Sequence, residues 1–250
     1  MFRRETYVHI LMEEVLSMKK HCSWFLVCLL TVTGILALSY WGSRAVSVIA
    51  ENLPPERQTV ILIDPGHGGV DGGAVSCTGI PESRYNLDIS LRLYDLFRFL
   101  GYDARMIRKT DTSVHTTGET IAQKKLSDLK ERVRITNETD NAVLISIHQN
   151  FFSDSRYSGA QVFYASTEGS RELAQSLQSA FSSTVNPGSR RQCRKSDGVY
   201  LMERIRKPGV LIECGFLSSP REEAMLRDPA YQKQLCCVIA STVDTFLRNG

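Results

Sequence analysis

The chain has 250 residues, of which 42% are hydrophobic and 23% are charged, an ordinary globular composition. This composition excludes a mainly disordered chain, a collagen-like chain and a membrane protein with many spans. Thirty basic and 27 acidic side chains leave a net charge of +3, so we expect no nucleic-acid partner. Seven cysteines are too few for a disulfide scaffold at this length.

The first predicted element is an uncharged apolar run over residues 23–40, which indicates a transmembrane anchor or a signal segment. Lys19 and Lys20 precede it, so the positive-inside rule places residues 1–22 in the cytoplasm and the later residues outside it. The residues after the run lack a good small-x-small cleavage site, which favours an uncleaved anchor. Residues 41–58 are predicted to be a linker. The expected location is extracytoplasmic, membrane-anchored or secreted.

Residues 59–250 are predicted to form one catalytic domain, because short apolar strands alternate there with amphipathic helices. In chain order the predicted elements are strand 59–63, helix 82–100, strand 104–108, helix 120–139, strand 142–148, strand 160–165, helix 170–184, strands 198–202 and 209–216, and helices 220–227 and 230–247. This order indicates an α/β fold with a twisted, mostly parallel sheet flanked by helices on both faces.

Polar side chains follow several of the predicted strands, where ligand sites of parallel sheets lie. His67 sits in a glycine-rich loop after the first strand, and His148 ends the strand 142–148. Glu213 ends an apolar strand, where an ionisable group needs a partner or a function. Glu82 lies in the first turn of the first long helix, where it could also simply favour the helix N-terminus.

Two histidines and a carboxylate match the ligand set of a catalytic zinc ion, which keeps a fourth position for water. A second carboxylate can then take a proton from that water and pass it to a leaving nitrogen. Glu82 and Glu213 are the two candidates, and spacing alone does not decide which is the ligand. A nucleophilic Cys214 or Cys77 is a weaker alternative, because no histidine motif pairs with either cysteine.

Four motifs follow one another along residues 59–247. Their positions are Asp64 to Gly69 with Asp71, Gly73 and Ala74; Gly79, Glu82 and Asn86; Leu129, Arg132, Asn137 and Ser146 to Asn150; and Leu211 to Ser219 with Glu223 and Leu226. In this order they resemble the zinc-dependent N-acetylmuramoyl-L-alanine amidases of the Amidase_3 type. Ser219 stands where that family usually has Asn.

The resemblance implies a Zn²⁺ centre whose protein ligands are His67, Glu82 and His148. It makes Glu213 the catalytic glutamate, and it gives Asn86 and Asn150 substrate-binding roles in which they orient a ligand or the substrate. The implied reaction is hydrolysis of the amide between N-acetylmuramic acid and L-alanine in peptidoglycan.

A short anchor and a bare catalytic domain resemble the germination-specific subgroup of spore formers. That subgroup strips peptides during spore cortex synthesis so that muramic-δ-lactam can form, and the resemblance allows a lipoprotein or deacetylase partner. The alternatives are a vegetative cell-wall amidase, used in separation or turnover, and another zinc hydrolase such as a peptidase or deacetylase. The basic stretch of residues 190–195 is either a solvated loop or a surface that steers anionic wall polymers.

Overall fold

The computed structural model describes residues 24, 29–41, 58–154 and 156–249. The chain divides into two units, residues 1–53 and 54–250, and each is described by itself. The predicted cytoplasmic segment 1–22 and all of the predicted linker except its two end residues lie outside the described residues.

In the first unit, helix α1 comprises the described residues 29–41, all of them exposed. Among the residues that the structure describes, no helix combines the length and the apolar character that crossing a membrane requires. The anchor or signal function predicted for residues 23–40 therefore stays a prediction.

The second unit contains one six-stranded sheet. Its strands are β1 (Val60–Pro65), β2 (Asp103–Met106), β3 (Ala142–Asn150), β4 (Gln161–Tyr164), β5 (Arg194–Lys195) and β6 (Gly209–Phe216). They lie side by side in the order β2-β1-β3-β6-β4-β5. Strands β2, β1, β3 and β6 are parallel, whereas β4 runs antiparallel to β6 and parallel to β5. The predicted mostly parallel sheet is confirmed.

Helices cover both faces of this sheet, as predicted. They are α2 (Glu82–Phe99), α3 (Ile121–Glu138), α4 (Ser170–Thr184), α5 (Tyr200–Arg204), α6 (Pro220–Arg227) and α7 (Pro229–Asn249). Helices α2, α4 and α7 pack on one face around a large buried apolar cluster. Helices α3 and α5 close a smaller cluster on the other face. The described part of the second unit is thus a three-layer α/β domain.

Two predicted elements differ from the structure. The sequence pattern predicts a strand at residues 198–202, but helix α5 begins at Tyr200 and buries Leu201 and Met202. A short apolar run has no periodicity that separates a strand from a buried helical turn, so the packing decides. Strand β5 was not predicted, because its two residues are exposed and carry no apolar pattern.

Side-chain caps explain where two helices begin. Thr120 and Gln123 form a reciprocal capping box at the start of α3. Ser219 caps α6 by accepting a hydrogen bond from the backbone N–H of Glu222, with Pro220 in the first turn. Asn and Ser are comparable N-caps, so the departure of Ser219 from the family pattern keeps the capping function.

A buried charge cluster joins β1 to α3. The Arg132 side chain is only 2% exposed, and it pairs with Asp64 on β1 and with Asp128 one turn earlier on α3. Asp64 also accepts a hydrogen bond of 2.7 Å from the Ser146 hydroxyl on β3. Burial raises the pKa of Asp64, but Arg132 and Ser146 outweigh burial and hold that pKa below its ordinary value. Asp64 is therefore ionised, and the cluster fixes α3 on the sheet.

Replacement of Arg132 tests the weight of this cluster. Arg132→Met should lower the free energy of unfolding by about 3–5 kcal/mol, because it leaves buried carboxylates without their partner. Urea unfolding followed by circular dichroism measures the change. Arg134→Met is the matched control two residues away, since Arg134 pairs with Glu131 and Glu138 on the solvent side of α3 and should matter far less. Equal losses in the two variants would contradict the assignment.

Candidate functional site

The loop after β1 places His67 in the site. His67 has φ +59°, a left-handed conformation that is uncommon outside glycine. Arg108 donates to the carbonyls of Pro65 and Gly66, each at 2.9 Å. Arg132 donates to the carbonyls of Pro65 at 2.9 Å and His67 at 2.7 Å. Two buried guanidinium groups therefore hold three successive carbonyls, and these bonds offset the cost of the left-handed turn.

Glu82 enters the site from the first turn of α2. Its backbone N–H donates to the carbonyl of Ala74 at 2.8 Å, and its Oε2 accepts from the N–H of Ala74 at 3.1 Å. Its Oε1 accepts from the backbone N–H of Gln149 at 3.1 Å and from Asn86 Nδ2 at 3.2 Å. The carboxylate is therefore fixed by the preceding loop, by its own helix and by the end of β3.

His67, Glu82 and His148 converge on one point. His67 Nε2 lies 3.3 Å from Glu82 Oε2, and His148 Nδ1 lies 3.0 Å from Glu82 Oε1. One ligand atom from each residue lies within 4.8 Å of the other two. The other ring nitrogen of His67, Nδ1, lies 2.9 Å from Asp71 Oδ2.

This donor set fits zinc. Two imidazole nitrogens and a carboxylate oxygen are the three protein ligands typical of a catalytic zinc site. A carboxylate on the second nitrogen of a ligating histidine fixes its tautomer and orientation, which is the role that Asp71 can fill for His67. Lys125 Nζ lies 3.3 Å from Asp71 and holds that carboxylate in turn.

The charges of the cluster attract a cation. Burial raises the pKa of Glu82, but His148 and His67 outweigh burial and hold it well below its usual range. Burial lowers the pKa of His67, whereas Asp71 and Glu82 outweigh burial and raise it to about 9. Metal binding at the imidazole of His67 therefore competes with a proton.

Glu213 lies beside this cluster on the neighbouring strand. It is the register partner of His148 across the parallel β3–β6 pair. Its side chain is partly accessible as a whole, but Oε2 is buried and has no hydrogen-bond partner among the described residues. Burial raises the pKa of Glu213 to about 7, with a further contribution from Glu82. A carboxyl with such a pKa can both take up and release a proton near neutral pH.

The two predicted substrate-binding residues occupy different surroundings. Asn86 is fully buried and donates to Glu82 Oε1 and, at 3.2 Å, to the carbonyl of Gly66, so its contacts orient a candidate ligand. Asn150 is partly exposed at the end of β3, and its carbonyl accepts from the Leu217 N–H at 2.8 Å. A substrate-binding role stays a prediction for both.

Sequence reasoning missed three supporting residues. The strand pattern places Arg108 at a strand end and gives it no site role. Gln149 belongs to a sequence motif that assigns it no role, although its Nε2 donates to Asn86 Oδ1 at 3.3 Å. Asp71 is a position of the first motif, and the sequence pattern assigns it no role. Its spacing of four residues from His67 in a glycine-rich turn is a signal that could have suggested the contact.

Gly66 provides a test of the metal site that leaves the ligands themselves unchanged. A Cβ at this position would lie 2.2 Å from His148 Cε1 and Nε2, so Gly66→Ala must displace that imidazole. We expect zinc affinity to fall by about 10–100-fold, measured by competition with a chromophoric chelator. Gly34→Ala is the control, because no atom lies within 4 Å of its added Cβ. Unchanged zinc affinity in Gly66→Ala would count against His148 as a ligand.

The raised pKa of Glu213 predicts a pH-dependent stability difference in metal-free protein. The contribution of the neutral Glu213 carboxyl to the free energy of unfolding is fully present below the ordinary pKa of about 4.5. This contribution is lost as pH rises through about 7. Glu213→Gln has no such loss. The unfolding free energy of Glu213→Gln minus that of the unmodified chain should therefore rise by about 3 kcal/mol between pH 4 and pH 8. Urea unfolding in the presence of a chelator measures it. Glu172→Gln, at an exposed position of α4, should show no such trend.

Comparisons with known proteins agree with the geometry. Residues 61–245 match the family model Amidase_3, described as N-acetylmuramoyl-L-alanine amidase. The germination-specific N-acetylmuramoyl-L-alanine amidase of Bacillus subtilis (strain 168) is 33% identical over 224 residues, which covers 89% of this chain and 93% of the relative.

Solved structures show the same fold. The CwlD amidase from Clostridioides difficile, solved in complex with the GerS lipoprotein, superposes with a TM-score of 0.74 at 33% identity, covering 77% of this chain and 100% of that one. An N-acetylmuramoyl-L-alanine amidase from Clostridium difficile 630 gives 0.65 at 32% identity, covering 76% and 97%. The resemblance drawn from the sequence motifs is thereby confirmed, and the chain belongs to the Amidase_3 family of N-acetylmuramoyl-L-alanine amidases.

Proposed function

We propose that this chain is a zinc-dependent amidase that hydrolyses the bond between N-acetylmuramic acid and L-alanine in peptidoglycan. The observation that carries the proposal is the convergence of His67, Glu82 and His148 beside Glu213 on the adjacent strand. Membership of the amidase family supports the reaction class, and the donor set supports zinc as the metal.

Each residue has a defined task in this reaction. Bound zinc would supply Lewis acidity both toward the amide carbonyl and toward the attacking water molecule. Glu213 accepts a proton as the water oxygen bonds to the carbonyl carbon, and it donates that proton to the nitrogen as the carbon–nitrogen bond breaks. Asp71 keeps His67 in the ligating tautomer, while Asn86 holds the carboxylate of Glu82 in place.

The biological role we infer is peptide removal during spore cortex synthesis, so that muramic-δ-lactam can form. The germination-specific relative supports this role, because the match spans nearly the full length of both chains. A deacetylase would act on the product, and a lipoprotein would be a binding partner. The structure of CwlD with the GerS lipoprotein is the support for that partner. A vegetative cell-wall role is the alternative.

We further propose that the catalytic domain acts outside the cytoplasm and that residues 23–40 attach the chain to the membrane or direct its export. The lysines before the apolar run and the extracellular nature of the substrate support this placement.

The decisive assay uses the full chain with and without added zinc on cortex and vegetative peptidoglycan of defined structure. Mass spectrometry should detect stem peptides that begin at L-alanine, released only with zinc. Glu213→Gln should reduce release by about 10²–10⁴-fold, whereas Glu172→Gln should not. Release of fragments that result from cleavage of a different bond would contradict the proposed amidase reaction. Equal release from both wall types would remove the support for a cortex-specific role.

A further inference from the structure

Aromatic side chains collect on the surface where β3 and β6 end. Among the described residues of the second unit, four aromatic side chains are exposed, and three of them follow β3 closely: Phe151 at 50%, Phe152 at 48% and Tyr157 at 49%. The fourth is Phe99, at the end of α2. Apolar side chains exposed one at a time are common on proteins, whereas several in one place mark a surface that binds a ligand or a partner.

Two of these rings contact each other and are attached to the sheet. The ring centroids of Phe152 and Tyr157 lie 4.8 Å apart with the ring planes inclined at 71°, an edge-to-face arrangement. The Tyr157 ring lies 6.3 Å from the ring of Phe216, the buried last residue of β6. The backbone N–H of Phe152 donates to Ser218 Oγ at 3.2 Å. Phe152 and Tyr157 thus form an aromatic patch, with about half of each side chain open to solvent.

The aromatic patch lies at the sheet edge that carries the metal-ligand cluster. The backbone N–H of Gln149 donates to Glu82 Oε1 at 3.1 Å, and Phe152 follows Gln149 by three residues. Three residues span at most about 11 Å, so the Cα of Phe152 lies within about 15 Å of that carboxylate oxygen. The aromatic patch is therefore a neighbour of the candidate metal site along the same edge.

Strand register places Phe216 on the face that carries Glu213. His148 is the register partner of Glu213, and Asn150 is the register partner of Phe216. His148 and Asn150 are two residues apart on β3, so their side chains project to the same face. Over this interval β6 advances by three residues, and this bulge returns Phe216 to the face of Glu213. Cys214, between them, is buried in the apolar cluster of the opposite face. The ring that supports the aromatic patch therefore shares a face with the proposed catalytic carboxyl.

The charged side chains near the patch are already engaged. Asp154 and Arg156 pair with each other at 2.7 Å. The guanidinium of Arg191 lies 4.9 Å from the centroid of the Phe216 ring and donates to the carbonyl of Ser158 at 2.9 Å. The exposed surface of the patch is thus the surface of two aromatic rings, which suits a neutral ligand with an apolar face.

A pyranose ring is such a ligand. Its axial C–H groups make one face apolar, and this face packs against an aromatic ring while the hydroxyl groups remain hydrated. The glycan strand of peptidoglycan alternates N-acetylglucosamine with N-acetylmuramic acid, and only a few covalent bonds join the muramic ring to the scissile amide. Sugar rings next to the cleaved unit therefore lie within reach of a surface about 15 Å from the metal ligands.

We propose that the aromatic patch binds a pyranose ring of the glycan strand next to the muramic acid that is cleaved. The patch makes the enzyme select muramoyl peptides within a glycan strand over a muramoyl peptide on a single sugar. The inference rests on the proposed amidase function, since that function brings a glycan strand to Glu213.

Binding is tested on the full chain in a detergent without sugar head groups. The probe is a peptide-free tetrasaccharide of alternating N-acetylglucosamine and N-acetylmuramic acid, which requires no cleavage. Saturation-transfer NMR should show transfer from aromatic protein protons to the C–H protons of a sugar ring, and calorimetry gives the affinity. Phe152→Ala should lose this transfer and bind about tenfold more weakly. Phe99→Ala is the matched control, because it removes an equally exposed ring far along α2 and should bind normally.

A conservative variant separates stacking from a folding defect. Phe152→Tyr keeps the ring and should bind the tetrasaccharide as the unmodified chain does. Three results would overturn the proposal: no binding of the tetrasaccharide by the unmodified chain, normal binding by Phe152→Ala, or an equal loss in Phe152→Tyr and Phe152→Ala.

Kinetics separate this inference from the amidase proposal. On a tetrasaccharide that carries stem peptides, Phe152→Ala should raise KM about tenfold and leave kcat unchanged, with no effect on a muramoyl peptide of one sugar. Glu213→Gln should lower kcat and keep tetrasaccharide binding. If the chain releases no peptide yet binds the tetrasaccharide through Phe152, the amidase function fails and glycan binding by the patch stands. If the unmodified chain cleaves both substrates with equal kcat/KM, the patch proposal fails and the amidase function stands.

Discussion

The contact between the buried Arg132 guanidinium and Asp64 is the constraint on which the candidate site depends. It fixes α3 against β1, and it leaves two further N–H groups of Arg132 aimed at the carbonyls of Pro65 and His67. Arg108 adds a hydrogen bond to the carbonyl of Gly66. Together these bonds hold His67 in its left-handed conformation. Burying two positive side chains is costly, and the carbonyl and carboxylate partners compensate for that cost.

The rigid loop matters because the proposed metal ligands come from three separate elements. His67 follows β1, Glu82 opens α2, and His148 lies near the end of β3. Gly66 allows the imidazole of His148 to lie directly against the loop backbone, where any side chain would collide with it. A shift of one element would separate the ligand atoms, so the site depends on the same contacts that hold the layers together.

Two glutamates in one cluster acquire opposite protonation behaviour from their surroundings. Two imidazoles and several N–H donors surround the carboxylate of Glu82 and favour its charged form. The charges of the same imidazoles lower the pKa of Glu213, but burial outweighs them and raises that pKa to about 7, and its buried Oε2 lacks a donor among the described residues. This separation suits one carboxylate for holding a cation and the other for moving a proton.

The sequence by itself determined the layered α/β fold, because alternating apolar strands and amphipathic helices have few other ways to bury their faces. It also determined His67, His148 and Glu213 as site candidates, since the carboxyl ends of neighbouring parallel strands must meet at one edge. The family resemblance carried by the motif order predicts Glu82 as a metal ligand and Glu213 as the catalytic glutamate.

Only the tertiary structure decided the long-range contacts. The pairing of Arg132 with Asp64 joins residues 68 positions apart, and Arg108 reaches the loop from 42 or more positions away. The structure likewise showed that residues near Tyr200 form a helix and that the arginines around residue 190 line a groove beside the strand that carries Glu213. Local sequence patterns record propensity and periodicity, whereas these features depend on which distant surfaces pack together and which charges burial leaves without a partner.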